Sequence, residues 1–497
     1  MEFSRASGIL LHPTSLPSRF GIGDLGSAAY QFIDFLNASG QTLWQILPLG
    51  PTGYEHSPYT MNFSAFAGNP LMIDLDALAA EGLLEAQSLE PLDIPPERVS
   101  FSRVIPHKMR YLQEACDRFS PTPAFEQFCQ EQASWLDDYV LFMALLEAHD
   151  GKDWHTWDRD IARRDPDALK AKSEQLKDRI AFHQFIQFKF FEQWMKLRAY
   201  ANERQIQIIG DISIYVCHNS ADVWANPDIF QLDPETLAPA YIAGVPPDYF
   251  SATGQLWGNP VYDWDRLVET EFAWWVERFR ATLQYVDIVR VDHFRGFEAY
   301  WRVPGGDETA MNGEWIPTPG VEFFETLKAK LGDLPMFAED LGIITPEVEE
   351  LRDRFGFPGM RILLFAFGGD PANPYLPHNY IENAVVYTGT HDNDTTIGWL
   401  QQASEAERQF LGQYLGLSEG TEVADINWSL IRIALASVAN SVIIPLQDLL
   451  DLDNQSRMND PSVSAGNWRW RYARADLLTP ALSQRLLQLT KLYSRTP

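Results

Sequence analysis

Three carboxylates stand out by their surroundings: Asp292 in Arg290-Val-Asp-His-Phe-Arg295, Glu339 in Phe337-Ala-Glu-Asp-Leu341 and Asp392 in Thr390-His-Asp-Asn-Asp394. Each follows a short apolar run in the later half of the chain. If those runs are neighbouring strands of one barrel, the acids converge at its carboxyl-terminal mouth. Acids gathered in that way can break or transfer a glycosidic bond. In retaining chemistry one carboxylate attacks the anomeric carbon while a second, held protonated, gives its proton to the departing oxygen. Partial burial beside other carboxylates keeps that proton in place near neutral pH. A third, ionised acid holds sugar hydroxyls and favours the oxocarbenium-like transition state. On this chemistry Asp292 is expected as nucleophile, Glu339 as acid/base and Asp392 as transition-state stabiliser.

The neighbours of these acids fit the same chemistry. Arg290 lies two residues before Asp292, on the same side of a strand, where a guanidinium can hold the nucleophile ionised and fixed. His293 and His391 supply donors for sugar hydroxyls. A lone Asp at a strand end more often caps a helix or binds a loop, and Asp340 and Asp394 are read in that way. The flanking histidines set Asp292 and Asp392 apart. No His-x-x-x-His or His-x-His spacing supports a metal site, and no EF-hand-type loop is present. The expectation is a site without a catalytic metal.

Strands and helices must position these groups. Eight apolar runs qualify as barrel strands: 8–12, 42–47, 205–210, 285–290, 335–338, 361–365, 384–387 and 441–445. Rich in Val, Ile, Leu or Phe, they suit parallel strands covered by helices. Between them, Phe182, Phe185, Ile186, Phe190 and Trp194 recur at helical spacing, as do Trp274, Trp275 and Phe279, then Val321, Phe324 and Leu327. Thr345-Pro346 reads as an N-cap with proline at the first helical position, and Gly356 as that helix's end. This alternation predicts an α/β fold, a (β/α)8 barrel occupying 1–497 as one catalytic domain. Two connections are too long to be simple: roughly 150 residues after the second strand and about 75 after the third. The first is expected to be a mostly helical insertion, 71–180, with an amphipathic helix over 135–148 and a solvated, mixed-charge stretch over 151–177. The second, 212–268, is expected to be loop-rich and to wall or cover the cleft through its Gly- and Pro-rich part, 244–260. No run of strands follows Tyr472, so no separate carboxyl-terminal β-domain is expected.

A chain of 497 residues can bury a large core, and its 45% hydrophobic content is that of a globular protein. A formal charge of −29 disfavours nucleic acid or an anionic membrane as partner and leaves a neutral substrate as the better fit. Cys116, Cys129 and Cys217 are too few and irregular for a disulfide framework. The opening residues lack a signal-peptide core, and no stretch is apolar enough to span a membrane. A cytoplasmic location is expected. Several of the 16 Trp and 18 Tyr fall in polar loops, where they pin the loop to the core or stack on sugar rings.

Beyond the three acid motifs, the chain carries Gly8-Ile-Leu-Leu-His-Pro-Thr-Ser-Leu-Pro17, Pro48-Leu-Gly-Pro-Thr-Gly-Tyr54, Ser57-Pro-Tyr59, Gly210-Asp211, Gln447-Asp448, Arg457-Met-Asn459 and Asn467-Trp-Arg-Trp-Arg471. Together, and in this order over nearly the whole chain, these segments resemble the amylomaltases, or 4-α-glucanotransferases (disproportionating enzymes). That glycoside hydrolase family stands close to the α-amylases. The resemblance implies a (β/α)8 barrel with inserted subdomains and no amylase-type carboxyl-terminal β-domain. It places the catalytic acids on Asp292, Glu339 and Asp392. It also implies substrate contacts at Tyr59, Asp211, Trp257, Arg290, His293, His391 and Asn459, with Tyr54 at an outer glucan-contact site. The implied reaction moves a segment of α-1,4-glucan from one maltooligosaccharide to the 4-hydroxyl of another or of glucose, without a cofactor. An α-amylase-like retaining hydrolase shares the three acids and differs in its use of water. Sequence alone leaves that alternative open.

Overall fold

The alternation of apolar runs and amphipathic helices closes into a barrel in the computed structural model, which describes residues 4–53, 56–59, 62–247, 251–418, 425–463 and 465–496. In chain order the strands are β1 (Ala6–Leu10), β2 (Leu43–Gln45), β3 (Gln207–Ile212), β4 (Tyr241–Val245), β5 (Gln255–Pro260), β6 (Ile288–Val291), β7 (Ala299–Pro304), β8 (Glu314–Pro317), β9 (Met336–Ala338), β10 (Gly359–Ile362), β11 (Ala384–Tyr387) and β12 (Ser441–Pro445). Eight of them form one sheet in the order β10-β11-β12-β1-β2-β3-β6-β9, and every pairing is parallel. Between its two ends, the Ala338 N–H donates to the Pro358 carbonyl at 2.9 Å. The Asp340 carboxylate then accepts from the Met360 N–H at 2.6 Å and stands in for a ladder carbonyl at the seam. This near-closed parallel sheet, surrounded by helices, is the expected (β/α)8 barrel with insertions. Among the described residues no strand follows Pro445.

Each of the eight expected runs contains or overlaps one barrel strand; 384–387 and 441–445 coincide with β11 and β12, and elsewhere the ends differ by up to three residues. The run at 361–365, for example, is split between β10 and a following 3-10 turn. The strands β1, β2, β6, β11 and β12 are buried at every position, as two covered faces require. Phe182, Phe185, Ile186, Phe190 and Trp194 all point inward from the helix Lys177–Glu203. The helix Gly320–Leu331 seats itself differently from the expected face. Val321 is 37% exposed and Phe323 fully buried, because the phenyl ring packs against Phe297 and Trp275. Thr345 does precede the helix Pro346–Arg354, with proline at its start, but its hydroxyl makes no cap bond. Gly356 follows at φ +70°, a backbone region in which glycine is unstrained.

Between β2 and β3 lie the helices Leu75–Ala80, Phe101–Arg118, Pro123–Glu131, Ala133–Ala148, Arg159–Ala162 and Pro166–Gln175, and Pro166–Gln175 buries no residue. The segment between β3 and β6 is more regular than its glycines and prolines suggested. It supplies β4 and β5, which join β7 and β8 in a second, antiparallel sheet ordered β5-β4-β7-β8. Gly244 is needed there, because a Cβ would sit 2.3 Å from the Gln255 carbonyl oxygen on the paired strand.

Candidate active site

Strand register assembles the site. In the β3/β6 ladder Asp211 lies opposite Arg290, and in the β6/β9 ladder Val291 lies opposite Ala338. Asp292 and Glu339 are the next residues of their strands, so two adjacent strands deliver two carboxyls to the same level of the mouth. The backbone keeps them there. The Asp292 N–H donates to the Ile212 carbonyl and the Glu339 N–H to the Val291 carbonyl, both at 2.9 Å.

Arg290 is buried between two acids. One guanidinium nitrogen donates to Asp211 Oδ2 at 2.6 Å and the other pairs with Asp292 Oδ1 at 2.8 Å. Burial alone would depress this guanidinium. Asp211 and then Asp292 outweigh that effect and hold it well above its ordinary range. The Tyr59 hydroxyl also donates to Asp211 Oδ2, at 3.0 Å. Burial pushes the Asp211 carboxyl up to about 7 against the opposing pull of Arg290.

Glu339 is treated differently. Its carboxyl receives the His293 N–H at 2.7 Å and the Leu341 N–H at 2.9 Å. Burial, then the charge of Asp292, push it up to about 8 against the weaker opposing pull of Arg290 and these two amides. The donated His293 amide has a backbone cause. His293 adopts φ +50°, ψ +52°, a left-handed conformation that a non-glycine residue holds only at some cost. This turn folds the chain after Asp292 back toward Glu339. Burial lowers the His293 imidazole to about 4, so the ring is neutral near pH 7. Its ring meets Trp257 edge-on, with centroids 4.8 Å apart.

Asp392 sits in the loop after β11, which β10 separates from β9. His391 Nε2 lies 3.3 Å from its Oδ1, and Asn459 Nδ2 donates to the same oxygen at 2.6 Å. The Tyr59 and His391 rings stack in parallel at 5.1 Å, and Trp468 closes on both at 5.7 and 5.9 Å. Asp340 and Asp394 make structural bonds instead. Asp340 accepts from Arg352 at 2.5 Å, and Asp394 accepts from Arg457 at 2.6 Å and from Asn454 at 2.9 Å.

A cleft of about 1100 Å³ brings together Asp292, Glu339, Asp392, Tyr59, Trp257, Arg290, His293, His391 and Asn459. Asp211 lies behind Arg290, outside the cleft lining. Tyr54 lies outside the described residues. Sequence reasoning missed Tyr215, Phe365, Tyr375 and Trp468 among the cleft walls. The aromatic-rich Asn467-Trp-Arg-Trp-Arg471 loop was the available signal for Trp468. Among the described residues no group of three or more His, Cys, Asp and Glu side chains is placed to hold a metal ion, and no helix is long and apolar enough to cross a membrane.

A near-closed parallel barrel with neighbouring carboxyls at its mouth is a scaffold suited to glycosidic-bond chemistry. The model of the glycoside hydrolase 77 family, described as 4-alpha-glucanotransferase, matches residues 11–477. The chain is 58% identical to the 4-alpha-glucanotransferase of Synechocystis over 99% of its own length and 98% of that protein. It is 47% identical to the 4-alpha-glucanotransferase of Clostridium butyricum over 98% and 100%. Its fold is similar to the amylomaltase of Streptococcus agalactiae, solved in complex with acarbose, at a TM-score of 0.95 and 40% identity, covering 99% of this chain and 100% of that one. The chain belongs to the 4-alpha-glucanotransferase (amylomaltase) family, glycoside hydrolase family 77.

Proposed function

We propose that this chain is a 4-α-glucanotransferase that moves segments of α-1,4-glucan onto the 4-hydroxyl of glucose or of another α-1,4-glucan by retaining double displacement. One observation carries the assignment of roles: of two neighbouring carboxyls, Asp292 pairs with the Arg290 guanidinium at 2.8 Å, while Glu339 accepts only from two backbone amides and is pushed up to about 8. In the first half-reaction Asp292 attacks the anomeric carbon, the glycosidic C–O bond breaks, and Glu339 protonates the departing oxygen. The glycosyl group is then an ester on Asp292. In the second half-reaction an acceptor 4-hydroxyl gives its proton to Glu339 and attacks the same carbon, which frees the Asp292 carboxylate. Asp392, in the loop after β11 and in the same cleft, stabilises the positive charge that develops on the sugar ring in both steps.

The other residues bind and orient the glucan. Arg290 holds the nucleophile, and Asp211 holds Arg290. Tyr59, His293, His391 and Asn459 offer polar groups to sugar hydroxyls, and Trp257 offers a ring face. Tyr54 keeps its proposed place at an outer contact. The reaction needs no cofactor or metal. We read 1–497 as one catalytic barrel domain, with 71–180 as a helical insertion and 212–268 as a second insertion that walls the cleft. Cys116, Cys129 and Cys217 are free thiols, which supports a cytoplasmic location.

Purified protein incubated with maltotriose tests the assignment. Glucose together with maltopentaose and longer α-1,4 oligomers is the expected product set. Glucose and maltose without longer products would replace transfer by hydrolysis, and no products at all would overturn the substrate class.

A further inference from the structure

Arg457 is a guanidinium bonded to the Asp392 main chain that the proposed mechanism leaves without a task. It is absent from the cleft lining and lies behind it, in a polar hollow of about 510 Å³ shared with Arg98, Asp394 and Asn454. From there its three nitrogens all donate. Nη2 donates to the Asp392 main-chain carbonyl at 2.5 Å, Nη1 to Asp394 Oδ1 at 2.6 Å and Nε to the Asn459 carbonyl at 2.8 Å. One side chain therefore ties the loop that carries Asp392 to the loop that carries Asn459.

The second loop is a wall of the cleft, which it lines with Asn459, Pro461, Ser462, Val463 and Trp468. It also reaches Asp392 directly, through the 2.6 Å bond from Asn459, and its Asn459 N–H donates to the His391 carbonyl at 3.0 Å. A shift of this wall consequently moves the donor that fixes the Asp392 carboxylate. The guanidinium is suited to preventing that shift because its donors are planar and fixed relative to one another, which an ammonium cannot reproduce.

The base of the Asp392 loop is secured separately. Buried Asp448 accepts from the Thr388 hydroxyl at 2.5 Å and from the Thr396 N–H at 2.8 Å. Removing Arg457 thus loosens the middle of the loop, leaving it to the Asn459 and Asn454 bonds, while its two ends stay anchored.

We propose that Arg457 is a positioning residue: it registers the cleft wall against Asp392, so that the transition-state stabiliser and the wall move as one body. The inference rests on the glucanotransferase reading and deepens it. It separates Arg457 from residues that bind glucan, because the alignment it maintains matters most where charge develops on the sugar.

The test uses the full chain as R457K, R457Q and R457A, with the wild type run in parallel on maltotriose. A misplacement of a catalytic group by an ångström lowers turnover by about a hundredfold. The expected result for R457Q is a fall of that order in kcat, with KM within about threefold of wild type. R457K should recover only part of the loss. Guanidinium ion should restore activity to R457A in a saturable way, whereas alkylammonium of similar size should not. An R457Q variant with kcat within about twofold of wild type overturns the proposal, and so does a raised KM at unchanged kcat, which would make Arg457 a binding residue. Should R457Q and R457A fail to fold while R457K folds with full activity, the role is structural and the proposal again falls. Inactivity of the wild type itself on maltotriose would refute the reaction assignment and is read separately from the ratio between variants.

Discussion

The proton on Glu339 is the feature most open to attack. An ordinary glutamate near 4.5 is only about one part in three hundred protonated at pH 7. Pushed up to about 8 by burial and by Asp292, the same group is about nine-tenths protonated, a gain of roughly three-hundredfold in competent acid. The direction of the pH effect follows. Below pH 8 the acid form prevails, and above it kcat/KM for the donor should fall about tenfold for each further pH unit. The assay is kcat/KM for maltotriose from pH 5 to 10, repeated with α-maltotriosyl fluoride, whose leaving group needs little protonation. With the fluoride, formation of the glycosyl-enzyme should lose its alkaline limb. E339Q should be nearly inactive on maltotriose yet still release fluoride in the first half-reaction. A limb near pH 5 on maltotriose would mean that Glu339 is not held protonated. An alkaline limb that survives in E339Q with the fluoride would assign the titrating acid to another residue. Either outcome refutes the reasoning.

Three further perturbations test separate parts of the arrangement. R290A removes the donor that bridges Asp211 and Asp292 at 2.6 and 2.8 Å; kcat/KM on maltotriose should fall about a thousandfold, R290K should recover only part of it, and a loss under tenfold would show that Asp292 holds its place unaided. W257A should raise KM by up to about tenfold at unchanged kcat, since an aromatic contact of about 1 kcal/mol is lost equally in ground and transition states; a fall in kcat at constant KM would contradict this. D340A leaves Arg352 buried without its 2.5 Å partner and removes the acceptor of the Met360 N–H at the barrel seam; the urea midpoint should drop by the equivalent of about 3 kcal/mol, and an unchanged midpoint would mean that the seam does not depend on this carboxylate.

The barrel was legible because its chemistry is repetitive. Strands covered on both faces must be apolar at nearly every position, so β6, β11 and β12 announce themselves as short runs of Val and Ile between helical stretches. Their ends were less legible, because the ladder stops where hydrogen bonding stops and not where the apolar run does. Residues 11 and 12 extend the first run beyond β1 in this way. The antiparallel sheet was hidden for a different reason. Gly244 and Gly254 weaken the strand signal of β4 and β5, yet each is there to let the backbone approach the paired strand or turn toward it. At the site, the three acids were singled out from their neighbours in sequence, and the structure brings them into one cleft. Arg457 and Trp468 were not, since their partners Asp392, His391 and Tyr59 are remote in the chain. Only the pairing of β12 with β1 and β11 brings those segments together, and no local pattern encodes a meeting across that distance.

The division of labour between Asp292 and Glu339 follows from where one cation was placed. Both carboxyls end adjacent strands, both are sheltered, and each repels the other's charge. What differs is the strand behind them. The inward position two residues before Asp292 is Arg290, and the β3/β6 register sets that guanidinium against Asp211. Asp211 holds one edge of it and leaves the other edge for Asp292. The corresponding position before Glu339 is Phe337, which brings no charge. Glu339 must therefore make do with two backbone amides, neutral donors that favour its anion less than an ion pair does. Repulsion from Asp292 adds to the cost of its own charge. Glu339 is pushed up to about 8 because strand order gives the arginine to its neighbour. On the proposed mechanism a nucleophile and an acid then arise from two carboxyls without any further device.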